Sequence, residues 1–180
     1  MAFRLIITRH SIREDITESD CSISSEGVRL IESRMPDIDK FSQNPEIILT
    51  SPYKRCIDTS LCISTFYDSS LTIQIEPLIK ETMFNERQHR HLPDPLLDYV
   101  KFNRIYDTWD AIYERSKNFL DHIIKKYYEQ NQNKTIFAVT HGGVINCLTK
   151  FVDPNYNFCE HNPGYVLLGL KFHIFLIRHF

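Results

Sequence analysis

The sequence is poor in the features that send a chain into a membrane or brace it outside the cell. No apolar stretch reaches the roughly 20 residues that cross a bilayer, and the candidate around residues 165–177 is broken by Lys171 and His173. The opening Met1-Ala2-Phe3-Arg4-Leu5-Ile6-Ile7 is too short an apolar run for a secretory leader, and Arg4 interrupts it. The five cysteines (Cys21, Cys56, Cys62, Cys147 and Cys159) are odd in number and scattered, with no Cys-x-x-Cys pair. That argues against a zinc knuckle or a dithiol redox motif and for reduced thiols in the cytoplasm. An excess of one charge is also missing. With a net charge of -2, no global basic field draws nucleic acid or an anionic membrane, so any anion-binding surface has to be local. Repeats, linkers and low-complexity runs are absent as well. Alanine occurs only at Ala2, Ala111 and Ala138, a hint of an AT-rich genome with no bearing on function.

What is present fits one soluble domain over residues 1–180. Hydrophobic residues make up 42% and charged residues 24%, values at which a chain buries a core rather than staying disordered. Residues 3–8 form a nearly continuous apolar run, as in a buried parallel strand. Ser24 or Ser25 caps a predicted helix with Val28, Ile31, Met35 and Ile38 at intervals of three and four, which Pro36 is expected to kink or split. Residues 46–50 predict a second strand. Ser51-Pro52 then reads as cap and first position of a helix reaching about Tyr67. A third strand is expected over 71–75, followed by a loop or lid excursion over 76–101 rich in proline and charge. Trp109, Ile112, Phe119, Ile123 and Tyr127 recur at helical spacing and are assigned to the core, on a helix ending near Asn131. Residues 135–139 make a fourth strand, His141-Gly142-Gly143 leads into a helix over 144–151, and two further strands are expected around 166–170 and 172–177. Alternating strands and helices imply an α/β fold, a three-layer αβα sandwich around a mostly parallel sheet.

In such sheets ligands bind beyond the carboxyl ends of the strands. That rule gathers Arg9 and His10 from the first strand, Ser51 and Arg55 from the second, Glu81 from the third and His141 from the fourth. Histidines, arginines and one carboxylate suit phosphate-ester chemistry. Arginine forks match phosphate oxygens, helix N-termini add backbone donors, and Gly142-Gly143 lets amides approach closely. A neutral imidazole can attack phosphorus and split one hard displacement into two easier ones. A carboxylic acid beside bound phosphate keeps a proton for the leaving oxygen.

The motifs resemble one family. Arg9-His10-Ser11 is similar to the Arg-His-Gly signature of the histidine phosphatase superfamily, also called phosphoglycerate mutase-like. Ile23-Ser24-Ser25-Glu26-Gly27 is similar to its Leu-Thr-x-x-Gly helix start. The stretch from Thr50 to Thr59 resembles its Ser-x-x-x-Arg-x-x-x-Thr segment, Glu76-Pro77-Leu78-Ile79-Lys80-Glu81 the stretch supplying the acid, and Val139-Thr140-His141-Gly142-Gly143-Val144 its second-histidine motif. The resemblance implies that His10 is the nucleophile, that Arg9, Arg55 and His141 bind the phosphoryl group, and that Glu81 is the general acid. It implies no metal and no cofactor. Arg9-His10-Ser11-Ile12-Arg13-Glu14-Asp15 further resembles the phosphatases called suppressors of T-cell receptor signalling, which makes Arg13 a phosphate ligand too.

The sequence departs from the family in two places. Ser11 stands where glycine is usual, so its Cβ could crowd the phosphate. The residues after Glu81 do not match the family's aromatic-glutamate-glycine run, which leaves Glu76 and Glu86 as rival acids. Arg178-His179 repeats the nucleophile dipeptide without supporting motifs and is read as a decoy. The basic run Glu86-Arg87-Gln88-His89-Arg90-His91 reads as a solvated loop, and Thr59 and Asp15 as structural hydrogen-bond partners. The leading expectation is a metal-independent phosphomonoesterase acting on a phosphorylated small molecule or phosphoprotein, with no nucleic-acid or membrane partner and a homodimer left open. The alternatives are a phosphoglycerate mutase-type phosphotransferase and a non-catalytic phospholigand-binding module.

Overall fold

The computed structural model describes residues 3–15, 17, 20–42, 45–81, 108–128, 135–152, 166–169 and 173–177. In chain order these hold β1 (Arg4–Arg9), α1 (Ser25–Ser42), β2 (Pro45–Thr50), α2 (Lys54–Phe66), β3 (Thr72–Ile75), a 3-10 turn (Pro77–Ile79), α3 (Trp109–Ile123), a π turn (Ile124–Tyr128), β4 (Thr135–Thr140), α4 (Gly142–Val152), β5 (Val166–Gly169) and β6 (His173–Ile177). The strands form one sheet in the order β3-β2-β4-β1-β6-β5. Every neighbouring pair is parallel except β5 with β6.

Side-chain alternation splits the core into two layers, since successive strand residues point to opposite faces. Leu5, Ile7, Leu49, Ile136 and Ala138 pack with Phe119, Leu120 and Ile123 of α3 and Val144, Ile145 and Leu148 of α4. Ile6, Ile48, Phe137 and Val139 face the other way, onto Ile31, Met35 and Ile38 of α1 and Cys56 and Ile63 of α2. Helices therefore cover both faces, which gives the expected three-layer αβα sandwich and explains why β1 and β4 read as unbroken apolar runs.

Three local expectations fail for identifiable reasons. Pro36 does not split α1, which runs unbroken over Ser25–Ser42. Pro36 and Glu32, whose carbonyl loses its intrahelical partner, both lie on the exposed face, while Ile31, Met35 and Ile38 hold the buried one. Helix α2 begins at Lys54 rather than at Pro52, with Tyr53 as a cap that offers no side-chain acceptor. Ser51 stays with the sheet: its N–H donates to the Val139 carbonyl at 2.9 Å, its hydroxyl pairs with His141, and its Oγ accepts at 3.5 Å from Tyr53 N–H, short of the helix itself. The Asp20 carboxylate serves instead, accepting from the Lys54 N–H at 2.6 Å. Trp109 is not core. It is the first residue of α3 and 54% exposed, whereas Ile112, Phe119, Ile123 and Tyr127 are buried. The excursion expected over 76–101 opens with the 3-10 turn; from residue 82 onward it lies outside the described residues, as do Glu86, the basic run and Arg178-His179.

Helix α1 enters against the loop after β1. Ser24 Oγ accepts from the Gly27 N–H at 3.0 Å, and a Cβ added at Gly27 would lie 2.7 Å from the Ile12 carbonyl oxygen. Backbone cannot swing aside as a side-chain tip can. Gly27→Ala is therefore expected to destabilise the fold by about 1–3 kcal/mol despite its better helix propensity. Urea unfolding of the two proteins side by side checks this, and an equal midpoint would contradict it.

Candidate active site

The sheet ladder continues for one residue past three strands and so fixes where their loops begin. His10 N–H donates to the Thr140 carbonyl at 2.9 Å, Ser51 N–H to Val139 at 2.9 Å and Glu76 N–H to Thr50 at 2.8 Å. Because β1, β2, β3 and β4 are parallel, all these ends lie on the same edge of the sheet.

His10 is 6% exposed. Its Nδ1 lies 2.8 Å from the Ser11 carbonyl oxygen. A carbonyl only accepts, so Nδ1 carries the hydrogen and Nε2 carries the lone pair. Burial above all, and then the charges of His141, Arg55 and Arg9, lower the pKa of His10 to about 2. The imidazole is neutral at any working pH, as a nucleophile must be.

His141 is fully buried, and its ring centroid lies 5.3 Å from that of His10. Its Nε2 lies 2.7 Å from Ser51 Oγ. Its Nδ1 is 3.2 Å from both Arg55 Nη2 and Glu81 Oε2. One nitrogen cannot accept from the guanidinium and donate to the carboxylate at once. With Glu81 ionised, Nδ1–H donates to Glu81, Ser51 O–H donates to Nε2, and Arg55 Nη2 donates to Glu81 Oε2 at 3.0 Å. With Glu81 protonated, the His141 hydrogen can move to Nε2 and donate to Ser51. Burial lowers the pKa of His141 to about 4, against an upward pull from Glu81.

Arg55 is 2% exposed, and its guanidinium carbon sits 4.5 Å from the centroid of the Tyr53 ring. Thr59 Oγ1 donates to the Arg55 carbonyl at 2.7 Å and accepts the Ser11 N–H at 3.0 Å. One hydroxyl thus ties the start of α2 to the loop that carries His10. Arg9 ends β1, and its buried Nε meets no acceptor among the described residues. Arg13 is half-buried, its backbone bridging antiparallel to Ile23.

Of the three candidate acids the structure describes Glu76 and Glu81. Glu76 caps the 3-10 turn, its Oε1 accepting from the Leu78 N–H at 3.0 Å. Glu81, 29% exposed, is the carboxylate placed against both Arg55 and His141. Ser11 leaves room for an anion because its hydroxyl donates to the Gly27 carbonyl at 2.8 Å, toward α1. Asp15 holds its own loop, accepting from Thr17 N–H and Oγ1 at 2.7 and 2.6 Å. Sequence reasoning passed over Tyr53 and Cys56, since neither an aromatic beside proline nor a single cysteine signals a site. Cys56 Sγ lies 3.4 Å from His141 Nε2, and burial pushes its thiol pKa well up, so it fills space as an inert thiol.

The donor atoms of His10, Glu81 and His141 lie within 4.8 Å of one another, a set that could ligate a metal ion. Arg55, 3.0 Å from the same carboxylate oxygen, opposes a cation there, and with Arg9 it favours an anion.

A pair of buried imidazoles beside Arg55 and Arg9 lies at the carboxyl edge of this sheet, a setting suited to an anion. The chain belongs to the histidine phosphatase superfamily (branch 1), whose sequence model matches residues 5–155. It is 24% identical over 166 residues to an uncharacterised phosphoglycerate mutase family protein of Acanthamoeba polyphaga mimivirus, covering 85% of this chain and 80% of that one. The fold is similar to that of a putative α-ribazole-5'-phosphate phosphatase from Escherichia coli, with a TM-score of 0.68, 18% identity, and 98% of this chain and 96% of that one covered. It is also similar to a mycobacterial glucosyl-3-phosphoglycerate phosphatase, with a TM-score of 0.59, 16% identity and coverage of 81% and 77%.

Ser51→Ala takes from the fully buried Nε2 of His141 its oxygen partner and leaves it only the weak Cys56 thiol at 3.4 Å; the expected loss of stability is about 1–3 kcal/mol by urea titration, and no loss would mean that the contact contributes nothing. The lowered pKa values of His10 and His141 carry a sign. Between pH 6.5 and their folded values of about 2 and 4, the unfolded chain binds protons that the native chain does not. Stability from these two groups is complete above pH 6.5 and falls as the pH drops below it. His10→Gln should flatten the decline of melting temperature between pH 6.5 and 4.5, and parallel curves would contradict this.

Proposed function

We propose that this protein is a phosphomonoesterase that works through a phosphohistidine on His10, with no resident metal. The observation that carries the reading is the hydrogen bond from His10 Nδ1 to the Ser11 carbonyl, which leaves the Nε2 lone pair available beside Arg55 and His141. Membership of the superfamily supports it, as do the names of fold neighbours that are phosphatases of phosphate monoesters.

His10 Nε2 attacks phosphorus while Arg9, Arg55, His141 and Arg13 hold the equatorial oxygens. An incoming phosphate dianion competes with Glu81 for the Arg55 Nη2 donor. Glu81 then loses a cationic partner and gains an anionic neighbour, and both raise its pKa. It can therefore carry the proton that the leaving oxygen takes as the P–O bond breaks. In the second half, the Glu81 carboxylate takes a proton from water, which attacks the phosphohistidine and releases inorganic phosphate with His10 restored.

The substrate class is a phosphorylated small molecule or phosphoprotein. Arg13, three residues after the nucleophile, supports placement near the suppressor of T-cell receptor signalling branch. Four described cysteines are free, which supports a reducing, cytoplasmic setting. The name of the mimivirus relative favours a second reading, a mutase, for which 2,3-bisphosphoglycerate would stimulate turnover.

Hydrolysis of p-nitrophenyl phosphate over pH 4.5–8 in EDTA tests the proposal, with His10→Ala alongside. The variant is expected to lose at least about 1,000-fold in kcat, and acid-labile, base-stable label from quenched substrate should lie on His10. Equal turnover by both proteins would leave a phospholigand-binding module. Activity lost in EDTA and restored by a divalent ion would overturn metal independence.

A further inference from the structure

The segment that delivers Glu81 is gripped at three successive carbonyls by side chains from elsewhere in the fold. Arg115 Nη1, from α3, donates to the Leu78 oxygen at 3.3 Å and the Lys80 oxygen at 2.8 Å. Thr140 Oγ1, at the end of β4 and next to His141, donates to the Ile79 oxygen between them at 2.6 Å. The N–H groups are held as well. Glu76 N–H pairs with Thr50, Leu78 N–H with the Glu76 carboxylate, and Lys80 N–H with the Pro77 carbonyl at 3.2 Å. Ile79 is fully buried in the same core layer as Phe119 of α3. A chain segment with no regular secondary structure beyond one 3-10 turn is thus held as firmly as a strand, up to the residue before Glu81.

We propose that Arg115 is a positioning residue for the Glu81 carboxyl group, acting with Thr140 through the backbone of residues 78–80. The inference rests on the reading of Glu81 as the proton donor. The chemistry of the contact favours it. Both bonds leave one guanidinium nitrogen, whose two N–H groups diverge to carbonyls two residues apart while the rigid, permanently charged plane fixes their directions. A general acid works only within hydrogen-bond reach of the leaving oxygen, and displacement by about 1 Å costs on the order of 100-fold in rate. Arg115 lies three residues after Ile112 and four before Phe119, on the stripe that α3 buries. A cation on that stripe needs a reason, and the two carbonyls supply one.

Leaving-group dependence tests this, because a merely structural staple would not change it. In wild type, kcat/KM should vary little from p-nitrophenyl to phenyl phosphate, since the acid protonates the poorer leaving group. In Glu81→Gln the phenyl ester should lose about 100-fold more than the nitrophenyl ester, and in Arg115→Ala and Thr140→Val about 10-fold more. Arg115→Gln, whose amide nitrogen also carries two N–H groups but is neutral and sits on a shorter side chain, should fall between wild type and Arg115→Ala. Thr140→Val keeps the volume of its strand position, so it reports even if Arg115→Ala does not fold. If Glu81→Gln discriminates between the esters while the Arg115 and Thr140 variants lose both equally or neither, the positioning role is overturned and the acid stands. If Glu81→Gln itself loses both equally, Glu81 is not the acid and the positioning proposal falls with it.

Discussion

Arg55 is held almost wholly out of water, at 2% exposure, and a buried guanidinium has to be compensated or the fold gives up several kcal/mol. Much of the site serves as that compensation. Glu81 supplies the countercharge, the Tyr53 ring offers its electron-rich face, and Thr59 anchors the carbonyl of the same residue. The two histidines answer the same field from the other side. Both stay neutral, because burial and neighbouring positive charge disfavour an imidazolium there. The free protein therefore keeps one internal anion, Glu81, in contact with a cation that a phosphate would also bind. Under the proposed reading, phosphate exchanges with Glu81 on Arg55, and the carboxylate that loses its cationic partner holds a proton more tightly.

Much of this arrangement was legible in the sequence because it depends on strand ends. A run such as Leu5-Ile6-Ile7 can hardly be anything but a buried strand, and the residues just past a parallel strand land on the ligand edge. His10, Arg55 and His141 were placed by that rule alone. Glu81 was harder to tell from Glu76, which sits on the same strand end; their places differ by which carboxylate the 3-10 turn uses as its cap, and Glu86 lies outside the described residues. Failures occurred where one residue had two plausible partners. Ser51 looks like a helix cap until His141 is known to need a donor, and Asp20, thirty-odd residues upstream, takes its place. Trp109 has the right phase for the stripe on α3 but is its first residue, beyond the edge of what the helix covers. Arg115 was passed over because its partners are backbone carbonyls, and backbone is the same in every sequence.

Ser11 illustrates how a departure from a motif can be absorbed. The family glycine keeps side-chain atoms away from the phosphate. Here the extra hydroxyl is drawn toward α1 by the Gly27 carbonyl, and Gly27 can come that close only because it lacks a Cβ. A motif scan scores positions one at a time and registers a mismatch, while the packing registers a pair.

The sheet order has a consequence for how the protein comes into being. His10 directly follows β1, whose neighbours on either side are β4 and β6. On the ribosome β1 emerges with residues 4–9, whereas its partners are made only with residues 135–140 and 173–177. For most of synthesis this strand, with Leu5, Ile6 and Ile7 at its centre, has two open edges and nothing to pair with, a state that invites aggregation or chaperone binding. β2 and β3, by contrast, can associate early, because only α2 separates them. The residues of the site on β2 and α2 can thus be brought together before His10 and His141, although His10 is translated earlier than any of them.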